Sequence, residues 1–586
     1  MRAAGHTGIP RTIPILLIVC LFVLPAQAQY SGGCGTADDP YQIATAADLI
    51  ALGETPDDYD KHFILTADID LDPNLPGGRV FDRAVIAPDT NGVETGFQGT
   101  SFTGVFDGNG RVISHLSIDG AGYLGLFGRL RSGGLVRNLG VKAADVTGTS
   151  DCVGGLAGSS AYDCRIGTSY CVGSVSGNRS VGGLVGANSG PVIQCYAIAV
   201  VSGHERIGGL VGDNTACSIS NCYSTGTVSG DDCVGGLVGY KSVDSVSSCY
   251  SFSTVLGDKR VGGLVGENGW RGRVIRSYSA GAVTGNSDIG GLVGWGNAVD
   301  VMNCFWDIQT SGQATSAGGL GKTTVQMKTP VTFLSWGACG NEGIWAVDQG
   351  RDYPRLWWEN RPGEPIFAET TLTDFLAGLG TEDSPYLICT ADELNLIGLF
   401  PCEWDKHFKL MADIDLSEFD GKDARPTFNM IGWGPPDYYG VDGTPFTGVF
   451  DGDGHTISGF TYALESRYSI GLFGYIDGLD AEVRDLRLAN PTVAAGSGSD
   501  VGAMVGHLGS GTLTYCHVES GSVSGNSGVG GLVGSCGGGV VVRCDSSARV
   551  VGVDSVGGLV GRNMSCGEWW CGGAVLLTSN IVNFLT

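Results

Sequence analysis

Four aspartates open the question of chemistry. Asp68 and Asp70 stand two apart in Ala67-Asp-Ile-Asp-Leu71, and Asp413 and Asp415 repeat the spacing in Ala412-Asp-Ile-Asp-Leu416. On a strand, residues two apart share a face. Each pair of carboxylates therefore suits a calcium ion or acid-base work. A solvated strand face with Ile69 and Leu71 turned inward accounts for the same pattern. These four are the candidate metal ligands, calcium is the one cofactor they point to, and no catalytic set accompanies them. A metallopeptidase needs His-Glu-x-x-His, so that both imidazoles meet the metal one helical turn apart. His204-Glu205-Arg206-Ile207-Gly208 lacks the second histidine, which excludes that activity for this chain. Gly318-Gly-Leu-Gly-Lys-Thr323 has Ser316 where a phosphate-binding loop has its first glycine, and with no strand-to-helix context expected it reads as a glycine-rich turn. Asp107-Gly-Asn-Gly110 reads as a tight hairpin turn. Asp151, Asp231, Asp232 and Asp258 occupy turn-like positions, and no set of carboxylates recurs at a spacing that would build a catalytic wall.

The elements that carry these residues are short strands. Glycine makes up 99 of 586 residues, about 17 %, against an average near 7 %, and it follows no Gly-X-Y period. Hydrophobic residues reach 42 %, which excludes a disordered chain. Glycine-rich and apolar together mean many short strands joined by tight turns. Acidic residues outnumber basic ones by 60 to 34 for a net charge of -26, which repels phosphate backbones and makes nucleic acid an unsuitable partner. Residues 1–28 read as a cleaved signal peptide: Arg2 and Arg11, an apolar run from Ile13 to Leu24, then Pro25-Ala-Gln-Ala28. No later run is long and apolar enough to serve as a transmembrane anchor. Export leaves 18 of the 19 cysteines in an oxidising compartment, where disulfides are permitted.

One block recurs in phase. Apolar-Gly-Gly-Leu-Val-Gly starts at Val181, Ile207, Val234, Val261 and Ile289, after a variant at Val153, and returns at Val501 in altered form, Val529 and Val556. Its motif residues are Gly183, Leu184 and Gly186; Gly209, Leu210 and Gly212; Gly236, Leu237 and Gly239; Gly263, Leu264 and Gly266; and Gly291, Leu292 and Gly294. In the later array they are Gly531, Leu532 and Gly534, then Gly558, Leu559 and Gly561. Successive starts in the first array differ by 28, 26, 27, 27 and 28 residues. A second column lies eight residues before the glycine that closes each Val-Ser-Gly-like segment: Cys195, Cys222, Cys249, Cys304 and Cys544, with Ser169, Ser277 and His517 as exceptions. Two columns held in phase mean that each unit is one turn of a stack. The fold class is therefore all-β, a parallel β-helix or β-solenoid, right-handed by the general crossover preference. Strict alternation would put Val181 and Leu184 on opposite faces, so the double glycine must bend or bulge the strand. Stacked cysteines come within the reach of a disulfide, and a ladder of buried free thiols fits equally.

The stack is duplicated. Gly35-Thr-Ala-Asp-Asp-Pro-Tyr41 matches Gly380-Thr-Glu-Asp-Ser-Pro-Tyr386, and Phe102-Thr-Gly-Val-Phe-Asp-Gly-Asn-Gly110 matches Phe446-Thr-Gly-Val-Phe-Asp-Gly-Asp-Gly454. The chain divides into a signal peptide at 1–28, a lead-in segment at 29–150, a repeat array at 151–303 and a tryptophan-rich cap at 304–365. A second lead-in at 366–495, a second array at 496–563 and an atypical tail at 564–586 complete it.

The phased copies of Gly183-Leu-Val-Gly186 resemble the GLUG-motif proteins, a group of exported, mostly bacterial repeat proteins. The resemblance covers nearly all of the chain after residue 28. It implies an extracellular or cell-surface β-solenoid with adhesin-like or architectural use, and a glycan or protein surface as partner. The motif also occurs beside the catalytic part of some immunoglobulin-A-cleaving metalloproteases and carries no chemistry itself. A noncatalytic secreted or surface scaffold is the expected function. The alternative is a carbohydrate-active β-helix enzyme, a polysaccharide lyase or hydrolase, which requires a cleft bearing acidic residues from three adjacent coils.

Overall fold

A computed structural model describes residues 29–564 apart from 92–95, 270, 297–300, 337–342, 367–371, 421–427, 433–443 and 464–467. The signal-peptide reading and nearly all of the tail lie outside the described residues.

The chain is an all-β parallel solenoid. One coil of the first array shows the plan: Val192–Ile193 lies in the first wall, Tyr196–Ser202 in the second, Glu205–Gly208 in the third and Val211–Asn214 in the fourth. The first wall has ten strands, the second thirteen, the third six and the fourth seven. Register follows the motif phase: Val153 pairs with Val181, Val181 with Ile207, and Ile207 with Val234, all parallel. From residue 386 on, five further parallel sheets of six, five, four, four and four strands repeat the plan, with the second wall split in two.

The double glycine is a corner. Arg179–Gly182 ends the third wall and Val185–Asn188 begins the fourth, so Gly183 and Leu184 turn the chain between two sheets. The turn lets Val181, Leu184 and Val185 all point inward, each with no exposed surface. Backbone from neighbouring coils leaves no room for side chains there. A Cβ on Gly183 would lie 2.3 Å from the Gly209 carbonyl oxygen, and one on Gly186 2.5 Å from the Val153 amide nitrogen. Inside the stack, Val, Leu, Ile and Phe form one continuous core in the first array and a separate one in the second, and their burial is the main force that closes the coils.

Short helices also occur. Ala46–Gly53 and Ala391–Ile397 begin the two lead-in segments, each with a threonine capping box, at Thr45/Asp48 and Thr390/Glu393. Leu49 and Leu52, like Leu394 and Ile397, are buried against the cores. The period-based reading had no helix, because two turns are too few to stand out in a chain of strands.

Three local expectations are corrected. Asp107-Gly-Asn-Gly110 is not a hairpin: Val105–Asp107 belongs to the first wall and Val112–Ser114 to the second, and each pairs in parallel with the next coil rather than with the other. The Gly318–Thr323 string does lie at a strand-to-helix junction, with Leu320–Lys322 paired to Phe305–Asp307 and Thr323 capping Thr324–Met327. That helix has four residues, and the Lys322 amine sits over the Phe305 ring at 5.6 Å. In the second array the column residue is Cys516, not His517, since the Cys516 amide donates to Cys544 Sγ at 3.3 Å. Offsets between those coils are 28 at His517/Asp545 and 27 at Ser522/Arg549, so counting back from Gly525 slips by one.

Candidate functional site

Three of the four candidate carboxylates, Asp68, Asp70 and Asp413, fasten one coil to the next, and Asp415 holds a turn of its own coil. Asp68 accepts the Val112 amide at 2.9 Å, and Asp70 meets His115 Nδ1 at 2.7 Å. That hydrogen bond holds the Asp70 carboxyl below its usual range and the His115 imidazole above its own. In the second copy the roles are exchanged: Asp413 takes both the Thr456 amide at 2.9 Å and His455 Nδ1 at 3.2 Å, while Asp415 accepts the Ser417 amide at 2.9 Å. Among the described residues no group of three or more His, Cys, Asp or Glu side chains is gathered as for a metal. The repeat-motif residues build the corner described above. His204, from the peptidase-like string, is exposed and bonds Asp231 through Nδ1 at 2.6 Å.

The cysteine column serves the backbone as well. Cys195, Cys222 and Cys249 are buried free thiols. Their Sγ atoms donate to the carbonyls of Ile193, Ser220 and Ser247 at 3.3, 3.1 and 3.2 Å. Where serine stands instead, its hydroxyl takes the same place, as Ser277 Oγ does for the Cys249 amide at 3.0 Å. The column therefore needs a small side chain that both donates and accepts. A neighbouring column runs Asn188, Asn214, Lys241, Asn268 in register. The asparagines donate to loop carbonyls of Gly190, Cys217 and Gly272 at 2.7, 3.0 and 2.7 Å. Lys241 does so to Val243, and its burial pulls the amine down to about 8.

On the outer face of the second wall, Tyr170, Tyr196, Tyr223, Tyr250 and Tyr278 stack in register at ring-centroid distances of 4.6, 4.9, 4.9 and 5.2 Å. The tryptophan-rich segment folds back along this ladder. Tyr353 stacks on Tyr278 at 6.1 Å, Arg355 lies over Tyr250 at 5.4 Å, and Trp358 covers the step between Tyr223 and Tyr196 at 5.7 and 6.2 Å. Glu359 accepts the Tyr250 hydroxyl at 2.8 Å. The strap stops there, and the outermost ring, Tyr170, is half-buried with the Lys142 amine 5.8 Å from its centroid. Its far side lies over Gly140, where a Cβ would stand 2.4 Å from the tyrosine Cζ.

Beside that last ring lies a cavity of about 330 Å³ at the corner between the first and second walls. Three successive coils line it: Asp107, Asn109 and Gly110; Asn138, Leu139 and Gly140; Thr168 and Tyr170. Asp107 accepts the Asn109 amide at 2.8 Å, Asn138 Nδ2 at 3.1 Å and Arg137 Nε at 2.8 Å. Burial pulls its carboxyl up, but these bonds outweigh it and hold the group below the usual range, so it is ionised at neutral pH. Asn109, Asn138 and Thr168 all have φ near +50°, which turns their side chains out of the strand pattern at the corner. The sequence reading missed this site, because Asp107–Gly110 appeared as a turn and Gly140 as one glycine among many. A corner turn followed by an aromatic two coils later was the available signal.

The GLUG motif family matches residues 203–229, one coil of the first array. The chain thus carries a GLUG motif on a coil of a parallel β-solenoid. It is 34 % identical over 166 residues to halomucin of Haloquadratum walsbyi, covering 28 % of this chain and 2 % of that protein. It is 38 % identical over 195 residues to a protein of Evansella cellulosilytica provisionally named a Gly-rich membrane protein, covering 33 % of this chain and 21 % of that one. The chain therefore spans a small part of the length of these curated relatives. The crystal structure of a protein of Bacteroides ovatus provisionally assigned as an immunoglobulin A1 protease aligns with a TM-score of 0.38 at 20 % identity, over 56 % of this chain and 96 % of that one.

Proposed function

We propose that this chain is a noncatalytic repeat scaffold carried at the cell surface, where its regular walls bind extracellular material. One observation carries the reading: the groups that could do chemistry are taken up in holding coils together. Carboxylates at Asp68 and Asp413 fix backbone amides of the next coil, and the thiols of Cys195, Cys222 and Cys249 reach the Ile166, Val192 and Ile219 carbonyls of the preceding coil. The names of the two curated relatives, a mucin-like name and a membrane-protein name, support a surface location. The enzyme alternative needs two carboxylates on either side of a scissile bond. The three-coil cavity has one among its lining residues, Asp107, already bonded to Arg137.

Protease shaving of intact cells that express the full chain tests the location. Release of its peptides from the surface is the expected result, and recovery only from lysed cells would sink the proposal. Reducing-end assays on a panel of polysaccharides test the noncatalytic part, and turnover that scales with protein concentration would reverse it.

A further inference from the structure

The cysteine column runs through both arrays, and the two arrays leave it in different surroundings. In the first, Cys195, Cys222 and Cys249 have no exposed surface, and burial pushes the Cys195 and Cys222 thiols far up. In the second, Cys516 is fully buried, while Cys544 stands on the last described coil and is partly exposed. The core opens at that coil. Val523, Val529 and Leu532 have no exposed surface, and their counterparts one coil on, Val550, Val556 and Leu559, all reach solvent.

Cys516 and Cys544 lie one above the other. Their flanking residues pair in register, Thr514 with Val542 and His517 with Asp545. Their Cα atoms therefore stand about 4.8 Å apart, inside the span that a disulfide bridges. The Cys516 amide donates to the Cys544 sulfur at 3.3 Å. The Cys516 thiol, together with this amide and against the pull of burial, holds the Cys544 thiol below its usual range. The same contact, and burial, push the Cys516 thiol well up. Cys544 is thus the readier thiolate and the one that solvent reaches, with Cys516 directly behind it.

We propose that Cys544 and Cys516 form a thiol-disulfide exchange site that takes a low-molecular-weight disulfide and is left as an internal disulfide between the last two described coils. The Cys544 thiolate attacks one sulfur of the small disulfide. Its S–S bond breaks, one small thiol leaves, and the other half stays bound to Cys544. The Cys516 thiol then gives up its proton, attacks the Cys544 Sγ and expels the second small thiol. Two protein thiols are oxidised, and the small disulfide is reduced to two thiols. Oxidation forfeits only weak S–H bonds, those of Cys544 to the Val542 and Leu513 carbonyls at 3.3 and 3.5 Å among them. The Cys516 amide keeps its sulfur acceptor. Cys195 and Cys222 stack in the same way inside a closed core, so the chain carries its own control.

This chemistry does not depend on a surface location, and it is tested on purified full-length chain with its free thiols reduced. The chain is incubated with oxidised glutathione at mildly alkaline pH, and the remaining thiols are blocked after unfolding. A digest with trypsin and a glutamate-specific protease, which cuts at Glu519 and so separates Cys516 from Cys536, is mapped by mass spectrometry without reduction. The Cys516 and Cys544 peptides are expected to be joined. Cys195 and Cys222 should react at least about a hundredfold more slowly, because their modification waits on opening of the stack. Cys516→Ser should halt the reaction at a glutathione adduct on Cys544, and Cys544→Ser should leave Cys516 unmodified. Serine already takes the column position at Ser169 and Ser277, so both variants should fold, which circular dichroism checks. If Cys544→Ser is misfolded, the map of the parent chain and the adduct in Cys516→Ser carry the test. No oxidation at Cys544, a bond from Cys544 to any cysteine other than Cys516, or reaction of Cys195 and Cys222 at the rate of Cys544 would overturn the assignment.

Discussion

Arg206 and Asp213 stand seven residues apart, one on each side of Ile207-Gly-Gly-Leu-Val-Gly212, and their side chains meet as an ion pair across the corner that this motif makes. Arg260 and Glu267 do the same, and Asp500 and His507 face each other at 3.9 Å. The residues that flank a motif copy are thus partners, and charge at one flank is answered at the other. Arg206 also lies 4.4 Å over the Tyr240 ring, the flank residue of the next coil.

Asp213 is buried, but the Arg206 guanidinium is partly exposed and keeps Glu205 at 3.3 Å, so Asp213→Ala should cost about 1 kcal/mol. Arg206→Met with Asp213→Leu should recover most of that loss. Urea midpoints of the two single variants and the double variant measure it, and additive losses would show that the two side chains do not act as a pair.

Gly209→Ala tests the corner itself. Its Cβ would lie 2.0 Å from the Gly236 carbonyl oxygen, a backbone atom of the next coil that cannot rotate away. The expected loss is about 3 kcal/mol, from overpacking and a broken link between coils. Gly77→Ala, where a Cβ meets nothing within 4 Å, needs φ +83° and should cost only the roughly 1 kcal/mol of a strained turn. Equal losses for the two would refute the close-approach account.

Lys241→Asn would restore an unbroken amide column from Asn188 to Asn268. The Lys241 amine is pulled down to about 8 in the folded chain, below its unfolded value near 10.4. Between those values the unfolded state holds a proton that the folded state does not, so the stability of the parent chain rises with pH through that window. Below pH 8 the full cost of burying the charge is present. The variant should therefore be more stable at pH 7 by about 1–3 kcal/mol, with the advantage fading towards pH 10. Thermal melts at pH 7 and pH 10 decide it, and a difference that does not change with pH would exclude Lys241 as its source.

The stacking register was legible because it is a matter of counting. Starts of 153, 181, 207 and 234 predict which valine or isoleucine lies on which, and those are the pairs that form. Counting failed where one residue was gained or lost inside a coil, as between His517 and Ser522. It also gave no direction for the double glycine, which turned out to join two walls because two inward residues three apart, Val181 and Leu184, can both be buried only around a corner.

What the sequence by itself determined is the repeat, its period, the all-β parallel stack and the small side chains that the columns require, since each is a constraint one coil imposes on the next at a fixed separation. The tertiary structure alone decided what lies against the outside of the stack. The strap reaches Tyr196 and Tyr223 from more than 130 residues away along the chain, and the cavity takes its lining from three segments about 30 residues apart. Neither follows from a period, because outward side chains are free of the packing that holds the core in phase. Gly140 acquires a meaning only when Tyr170, one coil on, lies across the space where its side chain would have been.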